Sequence, residues 1–423
     1  MSNCLLKICF FFCIQIIPAV CQCAYAIGIN EYLSTAAKDV SLFFQKELIT
    51  FLQTSGNRSL MDEVQFRVTV DEFEQDQQEF AIRFKTRGWN QVRDEKKFND
   101  AVLQSHHTQY DMLLHQALKN RCITVIDWLY HSEMTGLYED LIRLYEDRLN
   151  MLKKSAGMSA TDPARLSSDL MDTENDLLRL QMEESELKNR LHFINDEIRR
   201  NTGAETSISL NTEKIISMEN IGRTARDIAS APADENAAVR NARMESDLAN
   251  ARCDLEKSEN SAWSTFIETA YDLSEKEDAD KAFSIEFGIS LPIGAVNRPE
   301  MKARKTDSIK AKAEYEMLHQ QRKQSIPALA DELAHLIHHY DLLRQKKESG
   351  SNQSLYKLWQ KTEGADPLLL LRLRESMIKG DITAKKLIWM IHGKYIELLD
   401  ISGKLSEKSL RDHLSDEKEH IFL

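Results

Sequence analysis

Glycine and proline are scarce in this sequence. Its 423 residues include 14 glycines and 7 prolines, well below average usages of about 7% and 5%. Because these residues mark most turns and element ends, their scarcity indicates a chain that is mostly uninterrupted regular structure. The charged fraction of 29%, together with leucine heptads, indicates long helices.

A long apolar run is lacking after the first 26 residues, which excludes a transmembrane helix there. Before that point an apolar run extends from Ile8 to Val20, and the triplet Ala24-Tyr25-Ala26 that follows is of the kind signal peptidase cuts. The run is about a dozen residues, short of the roughly 20 that span a bilayer as a helix. Residues 1–26 are therefore predicted to be a cleaved signal peptide; an uncleaved anchor is the alternative.

Cysteine is nearly absent outside that segment, because five of the seven cysteines lie within it. Cys122 and Cys253 remain, 131 positions apart. This is neither a metal-ligand spacing nor a disulfide framework. Two free thiols are expected, with a single bridge as the alternative.

An excess of basic residues is also lacking: 55 basic against 67 acidic residues give a net charge of −12. Phosphate binding needs clustered Lys and Arg, so no nucleic-acid partner is expected. The chain contains no glycine-rich phosphate loop, Gly-x-Ser-x-Gly elbow or Cys-x-x-Cys pair. Neither a catalytic residue nor a cofactor is therefore predicted.

One histidine constellation could suggest a metal. Glu332-x-x-His335 is followed by His338 and His339, and residues three or four apart share a helix face. Glu-x-x-His is one half of a di-iron site, but a second copy with further carboxylates is not evident. No metal is predicted, and a metal-dependent enzyme is the remote alternative.

The heptads predict a long helical hairpin over residues 90–200. Apolar residues keep a 4-3 spacing from Tyr138 to Leu152 and again from Leu166 to Ile198. Between them, Gly157 can end one helix, while Asp162 and Pro163 can begin the next. A helix from Trp89 to Ala156 would be about 100 Å long.

A second hairpin is predicted over residues 295–405. Leu368 to Ile378 leads into Lys379-Gly-Asp-Ile-Thr383, after which the 4-3 spacing resumes at Ala384. The segment 379–383 is interpreted as the turn. Because Gly350, Gly364 and Pro367 interrupt the preceding helix, residues 345–367 are interpreted as an insertion at mid-height.

Strict alternation of apolar and polar residues predicts two strand pairs, over 63–89 and 261–294. In the first pair, Val64 to Val70 alternates and Phe80 to Phe84 follows. In the second, Ser264 to Leu273 precedes the best strand of the sequence, whose apolar face comprises Phe283, Ile285, Phe287, Ile289, Leu291 and Ile293. Each pair precedes a hairpin, so the chain is an internal repeat of about 200 residues. The remaining segments are predicted to be an N-terminal helix (27–62), a linker with the second repeat's first helix (201–260) and a polar C-terminal tail (406–423).

Strands of about ten residues with one apolar face are typical of transmembrane barrels, with the polar face toward the lumen. Four strands cannot close, and an open edge in lipid leaves backbone groups unpaired. Several copies must then share one barrel, and neither two copies nor three is excluded. A soluble sheet with one wet face and an ordinary helical bundle are the alternatives.

The order of strand pair, long helix, turn and long helix, repeated once after a signal peptide, resembles the TolC-like outer-membrane efflux proteins. The stretch Phe283-Ser-Ile-Glu-Phe-Gly-Ile-Ser-Leu-Pro-Ile-Gly294 is similar to that family's last strand. The segments 156–162 and 379–383 resemble its two periplasmic hairpin tips. The chain departs from the family in lacking a proline between Lys257 and Trp263.

The resemblance implies a fold that is mainly α with β, in which long helical hairpins form a periplasmic tunnel below a shared transmembrane β-barrel. It further implies a homotrimer in the outer membrane that binds a periplasmic adaptor and an inner-membrane pump. Adaptor contact is expected at the tips, and lipid contact at the last strand. The implied adaptor-contact residues are Gly157, Met158, Ser159, Thr161, Gly380, Asp381, Ile382 and Thr383. The function would be passive efflux or secretion; the alternative is a soluble periplasmic coiled-coil scaffold or adaptor.

Overall fold

The structure is a computed structural model of the full chain. It describes residues 25–54, 61–70, 78–156, 163–204, 208–212, 214–230, 235–260, 264–272, 282–290, 298–361, 366–406, 411–416 and 421. Within these ranges the chain folds into six strands and nine α-helices.

The strands are few and short, and the helices include several of great length. The strands are β1 (Tyr25–Gly28), β2 (Met61–Val70), β3 (Gln78–Thr86), β4 (Ile208–Asn211), β5 (Ser264–Asp272) and β6 (Phe283–Ser290). The helices are α1 (Ile29–Ser34), α2 (Val40–Thr54), α3 (Trp89–Ala156), α4 (Pro163–Thr202), α5 (Met218–Ser230), α6 (Ala237–Asn260), α7 (Arg298–Glu348), α8 (Ser351–Gln360) and α9 (Pro367–Ser402).

Four strands form one antiparallel sheet in the order β2-β3-β5-β6. The central pairing of β3 with β5 joins the first repeat to the second, because each repeat contributes one hairpin. β2 and β6 lie at the two edges. β1 and β4 form a separate parallel pair.

The long helix α3 packs against α2, α4, α6 and α9. At the end nearest the sheet, the strand end, α3 packs between α2 and α6. At the opposite end, the tip end, it packs between α4 and α9. α7 packs against α6 and α9 along its length. Across the molecule the order is therefore α2-α3-α6-α7 at the strand end and α4-α3-α9-α7 at the tip end.

Within the part of the chain that the structure describes, two apolar cores hold the helices together. The larger lies at mid-height, where α1, α5 and the small parallel sheet pack on the long helices around Tyr32, Val125, Leu333 and Tyr395. The second lies between α3, α4 and α9, around Tyr145, Leu180 and Ile382. Heptad spacing supplies both cores, since it places one apolar stripe of each helix against its neighbour.

The C-terminal segment contributes to the larger core. Leu414 is fully buried, and its carbonyl accepts a hydrogen bond of 2.7 Å from the backbone N–H of Ile216. Asp416 also accepts hydrogen bonds from Ser217 and Asn220. The composition of this tail is polar, yet residues 411–416 pack against the segment that leads into α5.

The predicted turn at 379–383 is wrong. α9 is continuous from Pro367 to Ser402 and passes through Gly380 without a break. On either side of that glycine, Ile378 and Ile382 are buried in the second core. Local sequence favours a turn here, but the packing of these two side chains keeps the segment helical.

The second hairpin turns between α8 and α9 instead. Lys394 Nζ lies 3.2 Å from Glu332 Oε2, and Lys347 Nζ lies 2.6 Å from Asp381 Oδ1. In an antiparallel pair of helices such contacts are symmetric about the turn, and the midpoints of these two pairs are residues 363 and 364. The predicted mid-height insertion at 345–367 is therefore also wrong, because this segment forms the end of the hairpin.

Local signals at that end agree with the assignment. Gly350 has a φ of 65° and separates α7 from α8. Asp366 caps α9 by accepting a hydrogen bond from the N–H of Leu368, and Pro367 occupies the first turn. The residues between Lys361 and Asp366 lie outside the described ranges.

The N-terminal region differs from the single helix predicted over 27–62. β1 and the short helix α1 precede α2, and the backbone of Tyr25 pairs with Ile208. β1 therefore begins ahead of the expected cleavage point after Ala26. Among the described residues no helix is both long enough and apolar enough to cross a membrane.

Candidate functional site

One face of the four-stranded sheet is mainly apolar, with Thr265 and Thr269 of β5 among its members. Cross-strand partners share a face, and the register pairs Phe66 with Ile82 and Ile267 with Phe287. The apolar side chains of this face are Val64, Phe66, Val68, Phe80, Ile82, Phe84, Ile267, Tyr271, Phe283, Ile285, Phe287 and Ile289.

This face is open to the surroundings of the chain. On β6, Phe283, Ile285, Phe287 and Ile289 are 54–74% exposed. A contiguous apolar surface of this size is rare on a soluble monomer and indicates contact with lipid or another protein. Leu291 and Ile293, predicted to belong to the same face, lie outside the described residues.

The opposite face is polar and carries an ion cluster. Glu268 on β5 pairs with Arg83 on β3, and Arg67 NH1 on β2 lies 3.8 Å from the same carboxylate. Glu268 is only 9% exposed because these neighbours cover it. The cluster ties three strands together on the face that alternation predicts to be wet.

An aromatic ring lies beside the cluster. The guanidinium carbon of Arg83 lies 4.0 Å from the ring centroid of Phe266, a cation–π geometry. The same ring crosses Gly288 on β6, where an added Cβ would lie 2.0 Å from Phe266 Cε1. Gly288 is thus required for this ring position, a role that the alternation pattern did not reveal.

The two hairpin ends lie at the same end of the molecule. Tyr145 Oη on α3 donates a 2.7 Å hydrogen bond to Glu375 Oε1 on α9. Tyr145 is eleven residues before the end of α3, and Glu375 is eight residues after the start of α9. α9 therefore begins about level with the end of α3, about 100 Å from the sheet. The predicted tip residues Gly157, Met158, Ser159 and Thr161 lie outside the described ranges, between α3 and α4.

A polar cluster joins the two hairpins near this end. Glu375 accepts hydrogen bonds from Tyr145 and from Lys379 Nζ at 2.6 Å, and Arg148 NH1 lies 3.8 Å away. Burial alone would raise the pKa of Glu375, but the hydrogen bonds from Lys379 and Tyr145 hold it below the ordinary value. Burial and the neighbouring carboxylate raise the pKa of Tyr145.

The residues of the second predicted tip lie along α9. Gly380, Asp381, Ile382 and Thr383 are more than ten residues from the start of that helix. Ile382 is buried in the core and Asp381 pairs with Lys347. The structure therefore does not bring these four residues to a tip.

One member of the histidine constellation, Glu332, forms an ion pair with a neighbouring helix. Glu332 pairs with Lys394 on α9. Across the described residues, no group of three or more His, Cys, Asp or Glu side chains is arranged to hold a metal ion. Cys122 and Cys253 are free thiols, and burial raises the pKa of Cys122.

No protein-family model and no curated protein sequence matches the chain. Solved structures do match it. The MtrE outer membrane channel of Neisseria gonorrhoeae is 12% identical with a TM-score of 0.60, covering 89% of this chain and 88% of that one. The CmeC outer membrane channel of Campylobacter jejuni is 10% identical with a TM-score of 0.60 (89% and 85% covered). The outer membrane protein VceC of Vibrio cholerae is 13% identical with a TM-score of 0.59 (89% and 96% covered).

The fold is TolC-like. The predicted fold class is thereby confirmed, since the match extends over about nine tenths of the chain. In a TolC-like fold, the four-stranded sheet and the hairpin ends are the two extremities of the subunit, joined by α3. The alternation of apolar and polar residues in the sequence predicted the strands of the sheet. It missed the Glu375 cluster, because contacts between α3 and α9 join residues more than 200 positions apart.

Proposed function

We propose that this chain is the outer-membrane channel subunit of a tripartite efflux or type I secretion system. The observation that carries the proposal is the two-faced sheet. Its apolar face would contact lipid, and its polar face with the Arg67, Arg83 and Glu268 cluster would line a water-filled lumen. Arginines that would be costly toward lipid are acceptable on the lumen side.

A closed barrel requires several copies. β2 and β6 are the edges of the sheet, and edges left open in lipid would cost several kcal/mol for each unpaired backbone group. β2 of one copy would pair with β6 of the next. Three copies would give twelve strands, as the resemblance to TolC-like proteins implies, so we propose a homotrimer.

The helices would form the tunnel across the periplasm. α3 alone is about 100 Å long, and its far end meets the start of α9. We propose that a periplasmic adaptor contacts this end and that an inner-membrane pump supplies the energy. The first contact segment is 157–162, with Gly157, Met158, Ser159 and Thr161.

The second contact segment differs from the one inferred from sequence. Because α9 passes through 379–383, we propose the segment around 361–366, between α8 and α9, in its place. Leu358 on α8 is exposed beside it and offers an apolar contact. The channel itself would be a passive duct that needs neither a catalytic residue nor a cofactor.

Single-channel conductance in planar bilayers, combined with the mass of the detergent-solubilised oligomer, tests the proposal. We expect stable pores and a trimer that dissociates on heating. A soluble periplasmic scaffold would instead leave the cell in osmotic-shock fluid and give no conductance. That result, from a folded protein, would refute the channel proposal.

A further inference from the structure

A groove runs along the surface between α7 and α9 near the tip end, with a volume of about 530 Å³. Among the described residues its lining contains no acidic side chain. On each helix two apolar positions and one lysine follow the spacing i, i+1, i+4, so each helix turns one narrow face toward the groove. These side chains are Leu342, Leu343 and Lys346 on α7 and Lys386, Leu387 and Met390 on α9.

The groove lies between two ion pairs that connect α7 and α9. Lys347 Nζ lies 2.6 Å from Asp381 Oδ1 on the side of the tip end, and Lys394 Nζ lies 3.2 Å from Glu332 Oε2 on the side of the sheet. These contacts hold the two helices together above and below the groove. The groove is therefore formed before any ligand binds, as most small-molecule sites are.

The groove opens on the side of the helix pair that faces away from α5. An added Cβ on Gly222 of α5 would lie 3.4 Å from Ile337 Cδ1, so α5 packs on a different face of α7. Leu342 and Met390 are 51% and 46% exposed. These apolar side chains are thus available to a ligand, because the core of the chain does not bury them.

Two lysines give the groove a positive charge. Lys346 and Lys386 are exposed, and among the described residues neither forms an ion pair. The nearby carboxylates of Asp341 and Glu348 pair with Arg344 instead. In a chain with a net charge of −12, two uncompensated cations beside an apolar groove favour a ligand with an anionic group.

The charged and apolar parts of the groove are separated along its length. By the register of the two ion pairs, Lys386 is level with about position 341 of α7, and Lys346 lies about five residues nearer the tip end. Leu387 and Met390 continue from Lys386 toward the sheet. From Lys346 to Met390 the groove is about 14 Å long at 1.5 Å per residue, with its positive charge toward the tip end.

We propose that this groove binds an amphiphile with one alkyl chain and one anionic head group. The head group lies between Lys346 and Lys386, and the chain lies along the four apolar side chains. The volume of the groove is within the range of small-molecule sites, about 300–1,000 Å³. A protein partner would need a surface of about 800 Å², more than a groove of this length offers.

The ligand is a free amphiphile and not a lipid of the bilayer, a step that rests on the proposed function. Lys385 Nζ, beside the groove on α9, lies 2.5 Å from Glu133 Oε1 on α3. The groove is therefore level with about position 133, roughly 66 Å along α3 from Trp89 at 1.5 Å per residue. A bilayer with its head groups is about 40–45 Å thick, so a sheet placed in the bilayer leaves the groove outside it.

Photo-cross-linking of the full chain in phosphatidylcholine nanodiscs tests the inference. The probe is laurate with a diazirine on its alkyl chain, and mass spectrometry of peptides locates the adducts. We expect adducts within residues 339–346 and 383–390. Unlabelled laurate should compete at least about tenfold better than dodecyltrimethylammonium, which has a chain of the same length and a head group of opposite charge.

Charge-reversal variants test the head-group position. Lys346→Glu with Lys386→Glu should raise the laurate concentration for half-maximal labelling about tenfold, because two attractive charges become repulsive. The matched control is Lys312→Glu with Lys323→Glu, which changes the net charge equally at two exposed lysines of α7 outside the groove. The control should label like the native chain, and equal effects of both double variants would overturn the inference.

The comparison of head groups uses the native chain, so it decides the question even where a variant does not fold. Equal competition by the two amphiphiles, or adducts only outside the two groove segments, would overturn the inference. Labelling of these segments by a diazirine phospholipid of the nanodisc would overturn the choice of a free ligand.

Conductance separates this inference from the channel proposal. Conducting oligomers without adducts in the groove, as expected if a neighbouring subunit or another protein fills it, would overturn the inference and leave the channel proposal standing. Specific labelling of a folded chain that does not conduct would support the groove site and refute the channel proposal.

Discussion

At the scale of single residues, Gly288 is the position where the sheet leaves least room. An added Cβ would lie 2.0 Å from Phe266 Cε1. In Gly288→Ala the ring must therefore move, and Arg83 loses its cation–π contact. We expect the free energy of unfolding to fall by about 1–3 kcal/mol, measured by thermal unfolding of the detergent-solubilised protein.

Gly136→Ala is the control for that substitution. Gly136 lies within α3, and an added Cβ there meets nothing within 4 Å. Alanine should raise stability by up to about 1 kcal/mol, because it favours the helix over glycine. Equal effects of the two substitutions would contradict the close approach of Phe266.

Asp400 links α9 to α3 and should make stability depend on pH. Its Oδ1 lies 2.6 Å from His115 Nε2, and Lys119 Nζ lies 2.5 Å from Oδ2. Burial alone would raise the pKa of Asp400, but these hydrogen bonds hold it below the ordinary value of 3.8. The folded protein therefore binds this proton less readily than the unfolded chain does.

The sign of the pH effect follows from that lowered pKa. The stabilisation is complete above the ordinary value near 3.8 and is lost as pH falls through the lower, folded-state pKa. In Asp400→Asn this contribution should be missing, so the stability measured by thermal unfolding should fall less between pH 5 and pH 2 than it does in the native chain. If both proteins lost stability equally on acidification, Asp400 would be excluded as a source of the pH dependence.

At the scale of elements, the continuity of α9 is the most consequential result. Gly380 lies inside the helix, and an added Cβ there meets nothing within 4 Å. Gly380→Ala should therefore raise the free energy of unfolding by up to about 1 kcal/mol. A turn glycine would give the opposite sign.

Gly350 provides the matched comparison in the same hairpin. Its φ of 65° is left-handed, so Gly350→Ala should lower the free energy of unfolding by about 1 kcal/mol. Denaturant titration of both variants measures the two signs. If Gly380→Ala instead lowered the free energy of unfolding, that result would support a turn at 379–383.

At the scale of the whole molecule, the two faces of the sheet should respond differently to the same charge. Phe287 lies on the apolar face and is 74% exposed, whereas its neighbour Glu286 lies on the polar face. Arginine toward the bilayer midplane costs about 2–4 kcal/mol. We expect Phe287→Arg to reduce the amount of oligomer extracted from the outer membrane, and Glu286→Arg to be tolerated.

Quantitative immunoblots of outer-membrane extracts, normalised to total expression, measure that difference. Each proposed trimer would carry the Phe287→Arg substitution three times, so the effect on assembly should be large. Equal yields from the two arginine variants would mean that the apolar face does not contact lipid.

The predictability of this fold varies with the range of the interactions. The exposed face of β6 was evident from alternation alone, because period two is a local property of a strand. The long hairpin of α3 and α4 was evident from heptads and from Gly157, Asp162 and Pro163. The packing of Leu414 against Ile216 was not evident from the sequence, because these two residues lie about 200 positions apart.

The sequence by itself determined the class of fold: two strand pairs with one apolar face, and helices too long for a single globular core. Only the tertiary structure decided where the second hairpin turns. Lys-Gly-Asp at 379–381 resembles a turn, but Ile378 and Ile382 fill a core shared with α3, which keeps the segment helical.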